Sequence, residues 1–126
     1  MMPEDGSSIR IVLTTTATSD EAARLGRVLV EERLVACATS IPGAQSIYRW
    51  EGRVESASET LLLLKTSVER IAALEARVHE LHSYQTPEFL VVDVEAASRG
   101  YAEWLRASLL PNEPQKPTTT TATTNT

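Results

Sequence analysis

The chain has 126 residues, the usual length of a single domain, and its hydrophobic fraction of 42% is sufficient for a packed core. Its formal net charge of −5 disfavours contact with phosphate backbones, so we expect no nucleic-acid partner. The single cysteine, Cys37, cannot form an internal disulfide, and no Cys-x-x-Cys pair is present. The first residues lack a signal-peptide pattern, and no apolar run approaches the ~18 residues of a membrane helix. We therefore predict a cytoplasmic protein with no membrane partner.

Both ends of the chain differ in composition from the middle. Residues 1–8 are short and polar, and residues 111–126 combine three prolines with many threonines. Such segments bury too little apolar surface to offset the entropy lost on ordering. We predict a disordered N-terminus over 1–8, a folded domain over 9–110 and a disordered Pro/Thr-rich tail over 111–126.

The first half of the domain indicates a strand, a helix and a second strand. Residues 9–16 are β-branched and apolar, which favours a buried strand. Thr18 and Glu21 match a capping box, in which each side chain satisfies a free amide at the start of a helix. Apolar residues then recur at helical spacing until Leu34. Residues 35–41 predict the second strand.

The middle of the chain indicates a long hairpin. Pro42-Gly43 predicts a bulge or bend, after which residues 45–50 are again extended. Glu51-Gly52 predicts a tight turn with positive φ at the glycine. The return strand runs from Arg53 to Thr66, although a loop near residues 56–58 is an alternative.

The second half repeats the order of the first. Thr66 and Glu69 match another capping box, and the apolar spacing that follows predicts a helix to about His82. Residues 88–94 predict a strand, and Ser98 is expected to cap a last short helix. The order is a ferredoxin-like β-α-β-β-α-β sheet of the α+β class, with a long central hairpin and a C-terminal helix.

The central hairpin is too long for the domain that carries it. Residues 36–50 would span ~50 Å when extended, whereas a domain of this size is roughly 35 Å across. Apolar side chains occur at the tip, and an exposed ribbon of this kind tends to pair with another chain. The hairpin could alternatively bend at Pro42-Gly43 and fold back over its own helices.

Five segments of the chain resemble, in order, patterns of the CutA divalent-cation-tolerance family: VEERLVAC (30–37), IPGAQSIYRWEG (41–52), LLKT (63–66), LHSYQTPE (81–88) and YAEWL (101–105). The resemblance implies a homotrimer with strands pairing between subunits, a role in tolerance to divalent cations such as copper, and no enzymatic activity. A signalling role is also open, because the fold resembles the nitrogen-regulatory PII proteins. Two departures are Thr14–Thr16, where some members have a cysteine, and Ser83, where a proline is usual.

Three residues are candidate ligands for Cu(II) or another divalent cation, and no organic cofactor is expected. Cys37 offers a thiolate, which suits soft metals, but its small apolar neighbours favour an inert buried residue. His82 matches a family histidine and could ligate through one ring nitrogen, or could interact with the end of its helix. His79 lies three residues before His82. Two histidines at this spacing can hold one ion, but the spacing is also common by chance. Glu88 could supply a carboxylate, or could be an ordinary surface acid.

Four aromatic residues have two alternative roles, at an interface or in a cleft. Tyr48 and Trp50 are expected at the trimer interface, although with Tyr84 and Trp104 they could instead line a ligand cleft. Cys37 and His82 could in principle form a nucleophile and base, but no cationic surroundings for the thiol are evident. We therefore expect no catalysis.

Overall fold

The computed structural model describes residues 3–6 and 8–111, with the side chains of residues 3–5 excluded. The predictions for the remaining residues of both ends lie outside the described part. The elements, in chain order, are β1 (Pro3–Asp5), β2 (Ile9–Thr16), α1 (Ser19–Glu31), β3 (Cys37–Trp50), β4 (Arg53–Ser67), a 3-10 turn (Val68–Arg70), α2 (Ile71–Leu81), β5 (Leu90–Asp93), β6 (Ala96–Ser98) and α3 (Arg99–Ser108).

The main sheet has the strand order β3-β4-β2-β5, and all its neighbouring strands are antiparallel. This order confirms the predicted ferredoxin-like arrangement, in which β2, the first strand of this sheet along the chain, lies in the centre beside β4. Helices α1 and α2 pack on one face of the sheet through a buried apolar cluster that unites both helices with the two central strands. Its largest members are Val12, Leu25, Leu29, Val35, Leu62, Leu64, Leu74 and Val78.

Helix α3 covers one end of the opposite face of the sheet. Lys65 follows the core residue Leu64 in β4, so the two side chains point to opposite faces. The Lys65 ammonium donates a 3.1 Å hydrogen bond to the hydroxyl of Tyr101 in α3. A smaller apolar cluster forms here around Ala102 and Leu105. The rest of this face, which we call the open face, carries half-buried and exposed apolar residues.

The hairpin extends beyond the sheet as a two-stranded arm, which we define as residues 44–59. The last pair between β2 and β4 is Thr16 with Thr60, so the arm pairs only with itself. A register shift follows Ile41, where Gly43 has a φ of 82°, and the predicted bulge is thereby confirmed.

The turn at the tip and the uninterrupted return strand are also as predicted. Glu51 and Gly52 have φ values of 50° and 79°, which is the pattern of the turns that match strand twist. Strand β4 is continuous, so the alternative loop near 56–58 does not form. Ile47, Trp50 and Val54 are 61–71% exposed, and the arm's tip is therefore not folded back over its own helices.

The structure differs from the predictions at several places: strand β6 was not predicted, β5 is shorter than the predicted 88–94, and three further differences follow. β1 pairs with β6, which gives a strand at Pro3–Asp5 where disorder was expected. Thr66 remains in β4 and its hydroxyl donates to the carbonyl of Leu34, so the second capping box is wrong. The first is half formed: Thr18 accepts from the amide of Glu21, but the Glu21 carboxylate accepts from Ser83 instead.

Candidate ligand cleft at the base of the arm

A cavity of about 630 Å³ lies between the arm and the loop that follows α2. The arm contributes one face of its ribbon, the end of β2 forms the floor, and residues 84–88 form the opposite wall. The side chains on which its chemistry depends are Thr15, Tyr48, Trp50, Glu59, Tyr84 and Glu88. The cavity is therefore lined by aromatic rings and by two carboxylates.

The two walls are joined by one short hydrogen bond. The Tyr84 hydroxyl donates to Oε2 of Glu59 at 2.7 Å. Burial and this carboxylate both raise the pKa of Tyr84. Burial opposes the ionisation of Glu59, but hydrogen bonds from Ser46, Tyr84 and Thr15 outweigh it and lower the pKa of Glu59. Glu59 is thus held as a carboxylate inside the cleft.

The pKa of Glu88 is shifted in the opposite direction. Burial, followed by the negative charge of Glu59, raises the pKa of Glu88. The two acids are therefore close enough to repel each other in a partly desolvated site. A positive charge placed between Glu59 and Glu88 would lower the pKa of both carboxyl groups.

His82 lies behind the cleft, with its side chain 0% exposed. Its Nε2 is 2.7 Å from the carbonyl oxygen of Thr15, and its Nδ1 accepts the backbone N–H of Tyr84 at 3.0 Å. Both ring nitrogens are therefore occupied by hydrogen bonds within the chain. Neither ring nitrogen is directed at an open site.

Glu21 anchors the same loop from the other side. Its carboxylate accepts from the backbone N–H and from the hydroxyl of Ser83, each at 2.9 Å. Burial opposes this charge, but the bonds from Ser83 outweigh it and lower the pKa of Glu21. Oε2 of Glu21 also lies 3.6 Å from Nδ1 of His82.

The three predicted metal ligands do not meet in one protomer. Cys37 is opposite Lys65 on β4. Thr15, which lies beside His82 and Glu88, is opposite Leu61 on the same strand. Lys65 and Leu61 are four residues apart, or ~13 Å along the strand, so Cys37 is distant from the other two candidates. Cys37 is partly exposed, with its thiol 3.7 Å from the hydroxyl of Thr39. Within the described residues, no three His, Cys, Asp or Glu side chains are grouped to hold a metal ion.

Some residues of the cleft were missed by the sequence analysis. Glu59 was not singled out, although an acid that alternates with Ala57 and Leu61 on one face of a strand is an available signal. Tyr48, Trp50 and Tyr84 do line one cleft, which was the alternative to an interface role. Trp104 instead packs against Tyr101 on α3, with the ring centroids 5.4 Å apart.

The strand order, the helices on one face and the long arm define a ferredoxin-like α+β protein with an extended hairpin and a cleft at its base. The family profile described as "CutA1 divalent ion tolerance protein" matches residues 10–108. The chain belongs to the CutA1 divalent ion tolerance family.

Relatives and solved structures agree with this placement. The chain is 42% identical over 96 residues to the divalent-cation tolerance protein CutA of Thermus thermophilus, covering 76% of this chain and 93% of the relative. The CutA structure from Synechococcus elongatus PCC7942 superposes with a TM-score of 0.83 at 38% identity, covering 86% and 96% of the two chains. CutA from Xylella fastidiosa gives 0.80 at 37% identity, covering 82% and 99%.

A further solved structure is also similar to the chain. A structure from Archaeoglobus fulgidus is described as a periplasmic divalent cation tolerance protein CutA, with a TM-score of 0.78 at 28% identity over 81% of this chain and 99% of that one. Among residues 3–6 and 8–111, no helix has the length and apolarity required to cross a bilayer.

Proposed function

We propose that the protein is a cytoplasmic homotrimer that contributes to divalent-cation tolerance by holding Cu(II), or a related divalent cation, in the cleft at the base of the arm. The observation that supports this most is the pair of carboxylates, Glu59 and Glu88, which repel each other in a partly desolvated cleft. The protein acts without catalysis in this proposal.

The case for assembly comes from surfaces that one protomer leaves uncovered. Leu90 and Val92 of the edge strand β5 are 55% and 41% exposed, and Ile41 of the other edge strand is 46% exposed. An arm that pairs only with itself adds Trp50 and Val54 to this apolar surface. Exposed apolar patches and open edges of this kind mark contacts with other chains.

The geometry of the edges favours a ring. The two open edges belong to different strands, β3 and β5. Contact between β3 of one copy and β5 of the next is a head-to-tail interface. Such an interface forms a closed ring when the rotation from copy to copy adds up to a full turn. The number three comes from the family resemblance. In such a ring Tyr48 and Trp50 would lie both in the cleft and at the subunit boundary.

The case for a cation comes from the chemistry of the donors. Carboxylate oxygens suit hard and intermediate divalent cations, and Cu(II) accepts oxygen as well as nitrogen ligands. Glu88, a ligand predicted from the sequence, lies in the cleft beside Glu59. Two carboxylates are too few to complete a coordination sphere, so water or the neighbouring protomer would supply the rest.

Isothermal titration with Cu(II) and Zn(II) tests this proposal. We expect binding to the wild type, and a loss of about tenfold or more in affinity for Glu88→Gln, because one charged ligand is removed. Glu75→Gln, on an exposed position of α2, is the matched control and should bind as the wild type does. Equal heats for all three proteins would reject the cleft as the metal site.

A second candidate, a signalling module that binds a small ligand, is favoured by one observation. The aromatic side chains of Tyr48, Trp50 and Tyr84 line the same cleft as the acids. Aromatic faces attract organic cations, and the acidic lining disfavours an anion. A melting screen of amines and nucleotides tests this candidate, because a ligand of the folded state raises Tm by linkage. No shift with any amine would argue against it.

A further inference from the structure

The buried histidine behind the cleft has a defined tautomer. A backbone carbonyl can only accept, so Nε2 of His82 must carry the proton that it donates to Thr15. A backbone N–H can only donate, so Nδ1 must be the unprotonated nitrogen that accepts from Tyr84. The two bonds together require the neutral Nε2–H form of the ring.

The other histidine of the chain provides an internal reference. Nδ1 of His79 lies 2.9 Å from the carbonyl oxygen of Glu75, so it carries the proton in that hydrogen bond. His79 is exposed on α2, whereas His82 is buried beyond the end of that helix. Nδ1 is therefore the donor in His79, whereas it is the acceptor in His82.

The hydrogen bond from Tyr84 places a wall of the cleft. The ring of His82 accepts the backbone N–H of the residue two positions later, Tyr84. This hydrogen bond closes a small turn, like the turns that asparagine side chains form. The ring of His82 also lies against the ring of Tyr84, with centroids 4.8 Å apart. The hydroxyl of Tyr84 then reaches Glu59 across the cleft. His82 thus determines where a ring and a carboxylate of the cleft meet.

Glu21 completes this arrangement and carries the charge nearest to the imidazole. Its carboxylate lies 3.6 Å from Nδ1 but is engaged by two hydrogen bonds from Ser83. The ring and the carboxylate therefore hold successive residues of one loop. The loop is fixed from inside the domain, while its outer side chains remain available to a ligand.

We propose that His82 is the positioning residue of the cleft: its Nδ1 lone pair holds Tyr84 in place against Glu59 and is not a metal ligand. This inference rests on the proposed function only in so far as the cleft binds a ligand. It reassigns the histidine that the sequence offered as a metal ligand, because a metal at Nδ1 would have to displace the N–H of Tyr84.

The tautomer is measured on the wild type, so the test does not depend on a variant that folds. In protein labelled with ¹⁵N-histidine, we expect His82 to show an unprotonated Nδ1 and a protonated Nε2, and His79 to show a protonated Nδ1. His79→Gln assigns the two spin systems. Zn(II) is a diamagnetic probe. In saturating Zn(II), the Nδ1 signal of His82 should remain that of an unprotonated nitrogen that accepts a hydrogen bond. A protonated Nδ1, or a Zn(II)-bound one, would overturn the proposal.

Two variants separate positioning from general stability. His82→Asn retains a side-chain oxygen that can accept from the N–H of Tyr84, and His82→Ala does not. We expect slow hydrogen exchange of the Tyr84 amide in the wild type and the Asn variant, and exchange at least tenfold faster in the Ala variant. Where the wild type binds Zn(II), affinity should fall about fivefold to tenfold for Ala and be largely rescued by Asn.

The outcomes distinguish the two proposals. A wild type that binds neither metal rejects the proposed function, while the tautomer and the Tyr84 amide still decide the role of His82. Equal exchange rates in all three proteins would overturn the positioning role. An Ala variant that fails to fold leaves the decision with the wild-type tautomer and with the exchange rate in His82→Asn.

Discussion

Tyr84 and Glu59 are 25 residues apart in the chain, and a 2.7 Å hydrogen bond joins them across the cleft. This bond is the link between a loop fixed by buried groups and an arm that otherwise pairs only with itself. Together with the hydrogen bonds from Ser46 and Thr15, it also keeps Glu59 ionised beside Glu88. The electrostatics of the cleft and the placement of the arm therefore depend on the same contact.

Removal of this hydroxyl should weaken the fold modestly. A hydrogen bond to a charged acceptor contributes ~1.5–3 kcal/mol when buried, and partial exposure of the cleft reduces this, so Tyr84→Phe should lower the free energy of unfolding by about 1 kcal/mol. Tyr101→Phe removes the corresponding hydroxyl from the exposed Lys65 contact and should cost less. Urea unfolding of both variants measures the difference. Equal losses would contradict the special role of the Glu59 contact.

Cation binding in the cleft should depend on pH through Glu88. Because the pKa of Glu88 is raised above its ordinary 4.5, protonation competes with a cation at a higher pH than for a normal glutamate. We expect affinity for Zn(II) to fall as pH is lowered from neutrality toward that raised pKa. Glu88→Gln should abolish this part of the pH dependence. Titrations at several pH values measure it, and an identical pH profile in the variant would contradict the assignment.

The same shift predicts an effect on stability. A carboxyl whose pKa is raised on folding binds a proton more readily in the folded chain, so it disfavours folding above that pKa and the penalty is relieved below it. Glu88→Gln should therefore be at least as stable as the wild type at pH 7, and the advantage should shrink as pH falls. Glu59 and Glu21, whose pKa values are lowered, contribute stability at neutral pH that is lost in acid.

The turn at the tip of the arm requires glycine. Gly52 has a φ of 79°, where an alanine costs roughly 1–2 kcal/mol, so Gly52→Ala should destabilise the folded protein by about that amount. Gly100, in the first turn of α3, has no heavy atom within 4 Å of an added Cβ. Gly100→Ala should be neutral or stabilising by up to about 1 kcal/mol. Thermal unfolding of the pair gives the comparison, and a stabilised Gly52→Ala would contradict the turn geometry.

Helix capping offers a second matched pair. The hydroxyl of Thr18 accepts from the amide of Glu21, and Thr18→Ala should cost about 1 kcal/mol. Ser98 occupies the same position before α3 but makes no capping hydrogen bond with its side chain. Ser98→Ala should therefore change stability by only a few tenths of a kcal/mol. A larger loss for Ser98→Ala than for Thr18→Ala would reverse the expected order.

The sequence predicted the features that depend on local chemistry. Glu51-Gly52 indicated a tight turn, Pro42-Gly43 indicated the bulge, and the length of the hairpin indicated an arm that overhangs its sheet. Each of these follows from backbone preferences or from the rise per residue in a strand. The spacing of apolar residues was sufficient to order the four strands of the main sheet and the three helices, but not the short strands β1 and β6.

The sequence could not predict contacts between distant parts of the chain. Glu21 matched a capping box, but Ser83, 62 residues later, provides two better donors to its carboxylate. Thr66 matched a second capping box, but it remains in β4, where its buried hydroxyl donates to the carbonyl of Leu34. His82 had the chemistry of a ligand, and only the fold shows that both of its ring nitrogens are engaged.

The mass of the purified protein in dilute solution tests the central claim most directly. The open face, the two edges and the arm should be covered by neighbouring copies, so light scattering at low micromolar concentration should give 41.4 kDa, three times the 13.8 kDa of one chain. A folded particle of 13.8 kDa under the same conditions would contradict the proposed assembly, because a single protomer would then tolerate all of this exposed apolar surface in water.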